Sequence, residues 1–139
     1  MIQKGRTVGL VRGDERLVGH LICGEGTDSE AAPHSLALEI GDERFESAGD
    51  DVFDCLLSIR QRLEGLGLQI CVNGACIEVW PSPMSRSMGG GRRAYRMTFG
   101  QQALNKDLVD IFDMAEDGRP GTIAEQTQYR ADWFTSLGL

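Results

Sequence analysis

The stretch that decides the fold runs from Leu68 to Gly100 and reads LQICVNGACIEVWPSPMSRSMGGGRRAYRMTFG. Its dipeptide Asn73-Gly74 predicts a two-residue hairpin turn, because both central positions of such a turn need a positive φ angle. Side chains alternate between the two faces of a strand, and this turn would place Cys71 opposite Cys76. One face of the hairpin would collect six apolar residues, Leu68, Ile70, Val72, Ala75, Ile77 and Val79.

A glycine- and arginine-rich segment follows this hairpin. Pro81 and Pro83 should end strand pairing, since proline has no N–H to donate to a β-ladder. The sequence then predicts a loop over 84–91. Alternation over 92–99 predicts a third, half-buried strand with arginines on its solvent-facing side.

The residues before this stretch alternate first in the manner of strands and then at helical spacing. Four antiparallel strands are predicted, over 7–12, 17–23, 35–40 and 43–47. Turns at Gly13 and Gly41 would join them in pairs, and a mobile polar loop is predicted over 25–33. Asp50 or Asp51 would cap a helix that covers the apolar face of the sheet. Its apolar residues recur at helical spacing between Val52 and Leu66.

Two helices are predicted near the C-terminus. The first would begin near Asn105 and end at about Met114. The second would run from Ile123 to about Ser136, behind a capping box formed by Thr122 and Glu125. The pair Trp133-Phe134 either anchors this last helix to the core or, if exposed, forms an interaction patch.

The order of these elements predicts the α+β class. We expect one domain over residues 1–139, with a mostly antiparallel sheet of five to seven strands. The sheet would pack against a central helix, with two C-terminal helices. The chain contains no apolar run long enough for a membrane span, and its first residues lack the apolar core of a signal peptide. These patterns predict a cytoplasmic protein with no membrane partner.

The charge of the chain is unevenly distributed. Its 21 acidic and 14 basic residues give a net charge of −7, yet residues 82–100 contain four arginines and no acidic residue. The overall acidity argues against direct nucleic-acid binding and favours a basic protein partner, or simply keeps the protein soluble.

The four cysteines, Cys23, Cys55, Cys71 and Cys76, contain no C-x-x-C pair. Only two histidines could complete a zinc site, so we expect no metal and no cofactor. Reduced thiols are predicted for Cys71 and Cys76 in a cytosolic protein, with a cross-strand disulfide as the alternative. A nucleophilic pair of Cys23 or Cys55 with His20 stays open, although no spacing favours it.

The segment from Arg86 to Arg93 is the main candidate for an anion site. Backbone N–H groups of Gly89, Gly90 and Gly91 could close on a phosphate, while Arg86 and Arg93 make bidentate contacts. The segment lacks the Gly-Lys-Ser/Thr of a Walker loop, and a strand follows where a helix should. Two other interpretations are a loop that meets a protein partner through Arg86 and Arg92, and a flexible connection whose arginines pair with the domain's own acids.

A second candidate surface is acidic. On the first predicted C-terminal helix, Asp107, Asp110, Asp113 and Asp117 would form a stripe along one side. The stripe is either a solvated helix face or a surface that meets a basic partner through Asp107, Asp110 and Asp113. In the second case it would mimic nucleic-acid phosphates and speed association.

Three segments, 72–75, 79–91 and Ala94-Tyr95, resemble a core shared by small uncharacterised bacterial proteins, N-G-A…P-S-x-M-x-R-x-M-G-x-G…A-Y. The size, the acidity and the lack of a complete catalytic motif also resemble small immunity proteins that accompany bacterial contact-dependent and polymorphic toxins. This resemblance implies a protein that binds one toxin domain tightly and blocks its active site. It implies no catalytic residues.

Three functional hypotheses follow. The first is a non-enzymatic protein-binding domain, an immunity- or antitoxin-like inhibitor that neutralises a basic toxin domain. The alternative is an anion- or nucleotide-binding domain, or a small enzyme, that uses the Gly/Arg-rich segment 84–96. The third is a homodimer that associates through a sheet edge.

Overall fold

The computed structural model describes residues 2–25, 34–116 and 120–138. These residues form an α+β domain with a five-stranded antiparallel sheet, a three-stranded sheet and three α-helices. Among them, no helix has the length and apolar character needed to cross a membrane. The predicted loop over 25–33 lies largely outside the described residues.

The larger sheet has the strand order β4-β3-β2-β1-β5. Its strands are β1 (Ile2–Arg12), β2 (Glu15–Glu25), β3 (His34–Ile40), β4 (Glu43–Gly49) and β5 (Gln69–Ile70). Gly13 and Gly41 make the turns of its two hairpins, each with a φ of +58° that a side chain would strain. The predicted meander of four strands is confirmed.

The central helix α1 (Val52–Gly65) packs on one face of this sheet. The Asp51 carboxylate accepts the N–H of Asp54 at 2.7 Å and caps the helix, as predicted. Phe53, Leu56 and Ile59 are fully buried against the strands. The apolar face of α1 and the inner face of the sheet therefore build the core.

The predicted hairpin around Asn73-Gly74 is wrong. Strand β5 pairs with β1, residues 73–75 form a 3-10 turn, and neither Asn73 nor Gly74 has a positive φ. Gly74 instead permits close packing, because a Cβ there would lie 2.7 Å from Leu56 Cδ2 and 2.9 Å from Ile111 Cβ. Its N–H donates to the Ile111 carbonyl at 2.8 Å. The turn thus pairs with a distant segment.

The smaller sheet has the order β6-β7-β8. Its strands are β6 (Val79–Trp80), β7 (Arg93–Arg96) and β8 (Leu108–Asp110). The first predicted C-terminal helix is therefore wrong, since β8 and a 3-10 turn at Asn105–Asp107 occupy most of its range. Pairing of Val109 with Ala94 overrides the helical spacing of this segment.

Two further helices complete the domain. The predicted loop over 84–91 is partly wrong, because a short helix, α2 (Pro83–Met88), occupies its first half. Ser82 is the N-cap of this helix. The last helix, α3 (Ile123–Ser136), has the predicted capping box, in which Thr122 and Glu125 each accept the other's backbone N–H. It is the one C-terminal helix of the described chain.

A buried polar network joins α1 to α3. Arg60 of α1 is 3% exposed and donates to Gln126 Oε1 at 2.5 Å and to the Gly121 carbonyl at 3.0 Å. The Gln126 amide donates in turn to the carbonyls of Gly74 at 3.0 Å and Val79 at 2.7 Å. Burial lowers the pKa of Arg60 to about 10, so the guanidinium is still charged at neutral pH.

Replacing Gln126 tests this network. Gln126→Leu removes the side-chain acceptor of a buried cation and the amide donor to the carbonyls of Val79 and Gly74, of which Gly74 keeps a longer contact with Arg60 at 3.4 Å. The free energy of unfolding should fall by about 3 kcal/mol. Gln128→Leu, on the exposed face of the same helix, should change it by less than about 0.5 kcal/mol. Urea denaturation of both variants measures the difference, and equal stabilities would contradict the network's role.

Candidate functional site

A groove lined by aromatic side chains lies between α3 and the chain around β6 and β7. Its volume is about 450 Å³, and its walls include six residues suited to molecular recognition, Trp80, Pro81, Tyr95, Arg130, Trp133 and Phe134. Both tryptophans of the sequence line this groove. It is therefore the main candidate for a binding site.

The walls of the groove are held in place from outside it. Trp80 of β6 pairs with Tyr95 of β7, and its ring packs edge-on against Phe53 of α1, with centroids 5.0 Å apart. Trp133 Nε1 donates to the carbonyls of Thr98 and Gln101, each at 3.0 Å. Both walls are thus held by contacts within the fold.

Arg130 contributes a cation to the groove. Its guanidinium carbon lies 5.3 Å from the ring centre of Trp80 and 5.0 Å from that of Phe134. In such contacts the rings pack against the flat faces of the guanidinium group. Its N–H groups point outward from the edge and can still donate hydrogen bonds. Within the described residues, no carboxylate forms an ion pair with Arg130. The groove therefore combines aromatic walls with a cation available to a partner.

Exposed apolar side chains continue the surface beyond the groove. Met84 follows the lining residue Pro83 directly and is 69% exposed, while Met88 lies one turn further along α2. Leu104 follows the lining residue Ala103 and is half exposed. We call Met84, Met88 and Leu104 the groove rim. Methionine side chains adapt to different partners, which suits such a rim to docking.

The arginines predicted to contact a ligand or partner lie against the domain's own acids. Arg86 Nε donates to Asp51 Oδ2 at 3.0 Å, and its Nη2 donates to Asp54. Arg92 Nε lies 2.9 Å from both carboxylate oxygens of Asp110. This is the arrangement expected of a connection that neutralises internal acids. Any role of these arginines in binding a partner stays a prediction.

The glycine run is also engaged internally. The N–H groups of Gly89 and Gly91 both donate to the Ser85 carbonyl, at 2.8 and 3.0 Å, and the Gly90 carbonyl accepts the first N–H of α1 at 2.7 Å. An anion would have to compete with Ser85 for two of the three glycine N–H groups. Arg93 is exposed and makes no ion pair with a described carboxylate. The anion site stays a prediction.

Two glycines with similar backbone angles test how tightly this run is packed. Gly91 and Gly100 have φ angles of +75° and +77°, but a Cβ on Gly91 would lie 3.1 Å from Asp51 Oδ1, whereas one on Gly100 would meet nothing within 4 Å. Gly100→Ala should cost about 1 kcal/mol of unfolding free energy from the backbone alone. Gly91→Ala should cost about 1–2 kcal/mol more, because it also displaces the cap of α1.

Thermal unfolding followed by circular dichroism compares the two glycine variants. Equal losses would mean that the glycine run is not packed against α1.

The three aspartates of the predicted stripe do not share a helix. Asp107 accepts the Leu104 N–H at 2.9 Å, Asp110 pairs with Arg92, and Asp113 forms an exposed ion pair with Arg6 at 2.9 Å. Asp117 lies outside the described residues. Each of the three has an internal partner, and contact of these residues with another protein stays a prediction.

The thiols are not arranged as nucleophiles. His20 and Cys23 stand three positions apart in β2, so their side chains lie on opposite faces of the sheet. Burial is the main cause that raises the pKa of Cys55 and of Cys76 to about 11, with nearby carboxylates adding to it. All four cysteines lie in described segments and are free thiols, which was the prediction for Cys71 and Cys76.

Alkylation measures the state of these thiols. A thiolate is the reactive form, and a pKa near 11 leaves little of it at pH 8. Cys55 and Cys76 of the folded chain should react with iodoacetamide roughly a hundredfold more slowly than in 8 M urea. Mass spectrometry of the digested protein gives the rate at each cysteine. A rapid reaction at Cys55 in the folded chain would reveal an activated nucleophile.

Comparison with known proteins adds no assignment: no protein-family model matches the chain, and no curated protein is significantly similar to it. Nor does the part of the chain that the structure describes contain three or more histidine, cysteine or acidic residues grouped as a metal site. Sequence reasoning considered Trp133-Phe134 as a patch but missed Trp80, Tyr95 and Arg130. The available signals were Pro81 directly after Trp80 and Arg130 about one helical turn before Trp133 and Phe134.

Proposed function

We propose that this chain is a non-enzymatic protein-binding domain that docks its partner in the aromatic groove. The observation that carries the proposal is the combination of Trp80, Trp133 and Arg130 in one open groove with an apolar rim. Tryptophan, tyrosine and arginine contribute most of the binding energy at protein interfaces. Apolar surface of this kind on a charged domain is typical of an interaction site.

The partner we propose is a basic toxin domain, which this protein would neutralise as an immunity- or antitoxin-like inhibitor. The net charge of −7 supports a basic partner. Strands β1 and β3 run in the same direction, so both hairpin turns, with Asp14, Glu15, Asp42 and Glu43, lie at one end of the sheet together with Arg12, Arg16 and Arg44. The net negative charge of the whole chain would steer a basic protein toward the domain. The resemblance to small immunity proteins favours the same function.

Inhibition of this kind needs no chemical step. A stable inhibitor interface takes about 20–30 residues of each partner, whereas the groove is lined by 12 residues. The groove rim must therefore contribute, and the bound domain would cover the toxin's active site. The Gly/Arg-rich segment 84–96 offers less support for an anion-binding or enzymatic function. There Arg96 lies 3.3 Å from Glu78, and Arg86 and Arg92 also face carboxylates.

Two isosteric polar substitutions test docking through the rim. Met84 and Val18 are each 69% exposed, but Val18 lies on the sheet, away from the groove. The partner is first isolated with the tagged chain from its own host. Met84→Gln should weaken its binding about tenfold, because a polar amide replaces apolar surface at the contact. Val18→Thr should leave the Kd unchanged in the same calorimetric titration.

The inhibitor function makes a separate prediction in cells. Deleting the gene should make the host sensitive to the toxin encoded beside it, and the wild-type chain should restore growth. The Met84→Gln variant should restore growth less well than Val18→Thr. Full resistance of the deletion strain, or a purified partner that is acidic, would contradict the proposed function.

A further inference from the structure

Two hydrogen-bond donors of the groove have no acceptor among the described residues. They are the indole N–H of Trp80 and the hydroxyl of Tyr95, which lie on paired positions of β6 and β7. The corresponding donors of Trp133 and Tyr129 are used within the fold, on the carbonyls of residues 97, 98 and 101. The groove thus offers two neutral donors to whatever occupies it.

These two donors indicate which backbone conformation a bound segment would have. A bound α-helix satisfies its own carbonyls, so it would leave Trp80 and Tyr95 without acceptors. A polyproline II segment has no internal hydrogen bonds and presents its carbonyls outward. Aromatic-lined grooves bind such segments, since proline rings fit between flat side chains. The walls formed by Trp80, Trp133 and Phe134 suit that conformation.

The cation of the groove indicates the charge of the occupant. The chain contains more acidic than basic residues, and carboxylates within the described part pair with six of its other arginines: Arg6, Arg12, Arg44, Arg86, Arg92 and Arg96. Arg130 forms no such pair there and is instead held between two aromatic rings. Its planar group is suited to a bidentate contact with a carboxylate.

We propose that the groove binds an extended, proline-containing segment of the partner protein, with an acidic residue of that segment paired to Arg130. This inference rests on the proposed function, since it names the part of the partner that enters the groove. The partner can still be basic as a whole. The net charge of the two proteins acts over about 10 Å while they approach each other. Arg130, in contrast, would bind a single carboxylate in direct contact.

The probe is a random dodecapeptide library displayed on phage and selected on the immobilised full chain. The enriched peptides should contain proline and at least one Asp or Glu. A synthetic copy of the strongest binder should lose affinity at least tenfold when its acidic residue is changed to the neutral amide. Fluorescence anisotropy of the labelled peptide measures these constants.

Protein variants locate the contacts. Arg130→Gln should weaken the acidic peptide at least tenfold and bind the acidic and amide peptides equally. Tyr95→Phe, which removes only the hydroxyl, should weaken both peptides severalfold. Arg93→Gln removes an exposed arginine that does not line the groove, so it should bind both peptides as the wild type does. A circular dichroism spectrum of each variant checks that it is folded.

Each contrary result has one meaning. Failure to enrich any peptide, enrichment without acidic residues, or equal loss for acidic and amide peptides in Arg130→Gln would overturn this inference. The proposed function is judged separately, on the whole partner isolated from the host. If Met84→Gln weakens that complex but Arg130→Gln does not, docking through the rim stands and the acidic segment is wrong. If neither weakens it, the groove is not the docking site.

Discussion

The buried guanidinium of Arg60 is the constraint on which the rest of this structure depends. It donates to the Gln126 side chain and to the carbonyls of Gly121 and Gly74, and no carboxylate of the described residues forms an ion pair with it. Because a buried cation without acceptors would be very costly, α1, the turn at Gly74 and α3 must meet around it. Gln126 also bonds the carbonyl of Val79, the residue before Trp80. The network therefore sets α3 against β6, and the groove lies between them.

The need to neutralise charge within the fold also explains why the segment between β6 and β8 is rich in arginine. In an acidic chain its arginines act as internal partners: Arg86 joins α2 to the start of α1, and Arg92 joins β7 to β8. Stacking on Phe53 and Phe112 holds both guanidinium groups further. A charge pattern that stands out in the sequence is thus largely neutralised in the fold. Arg130, a single arginine within α3, instead lies over the aromatic rings of the groove and forms no ion pair with a described carboxylate.

Local chemistry made part of the fold predictable. The glycine turns at Gly13 and Gly41, the Asp51 cap and the capping box before α3 each depend on neighbouring residues, and all were confirmed. The prediction of a hairpin at Asn73-Gly74 was wrong because the glycine serves another purpose. Gly74 packs against Ile111, 37 residues further along the chain, where a Cβ would not fit. The helix predicted over 105–114 was wrong for a similar reason, because β8 forms by pairing with β7, which is distant from it in the sequence. The groove could not be predicted from the sequence, because its walls come from segments that are far apart in the chain.

Hydrogen–deuterium exchange of the full chain, with and without the partner isolated from its host, tests the central claim that this domain works by docking through the aromatic groove. Binding should slow exchange over 95–103 and 130–137, where the walls of the groove carry backbone N–H groups. Exchange in the glycine run and in the segment from Asp107 to Asp113 should change little. Protection confined to those two segments, with the groove unchanged, would contradict the account.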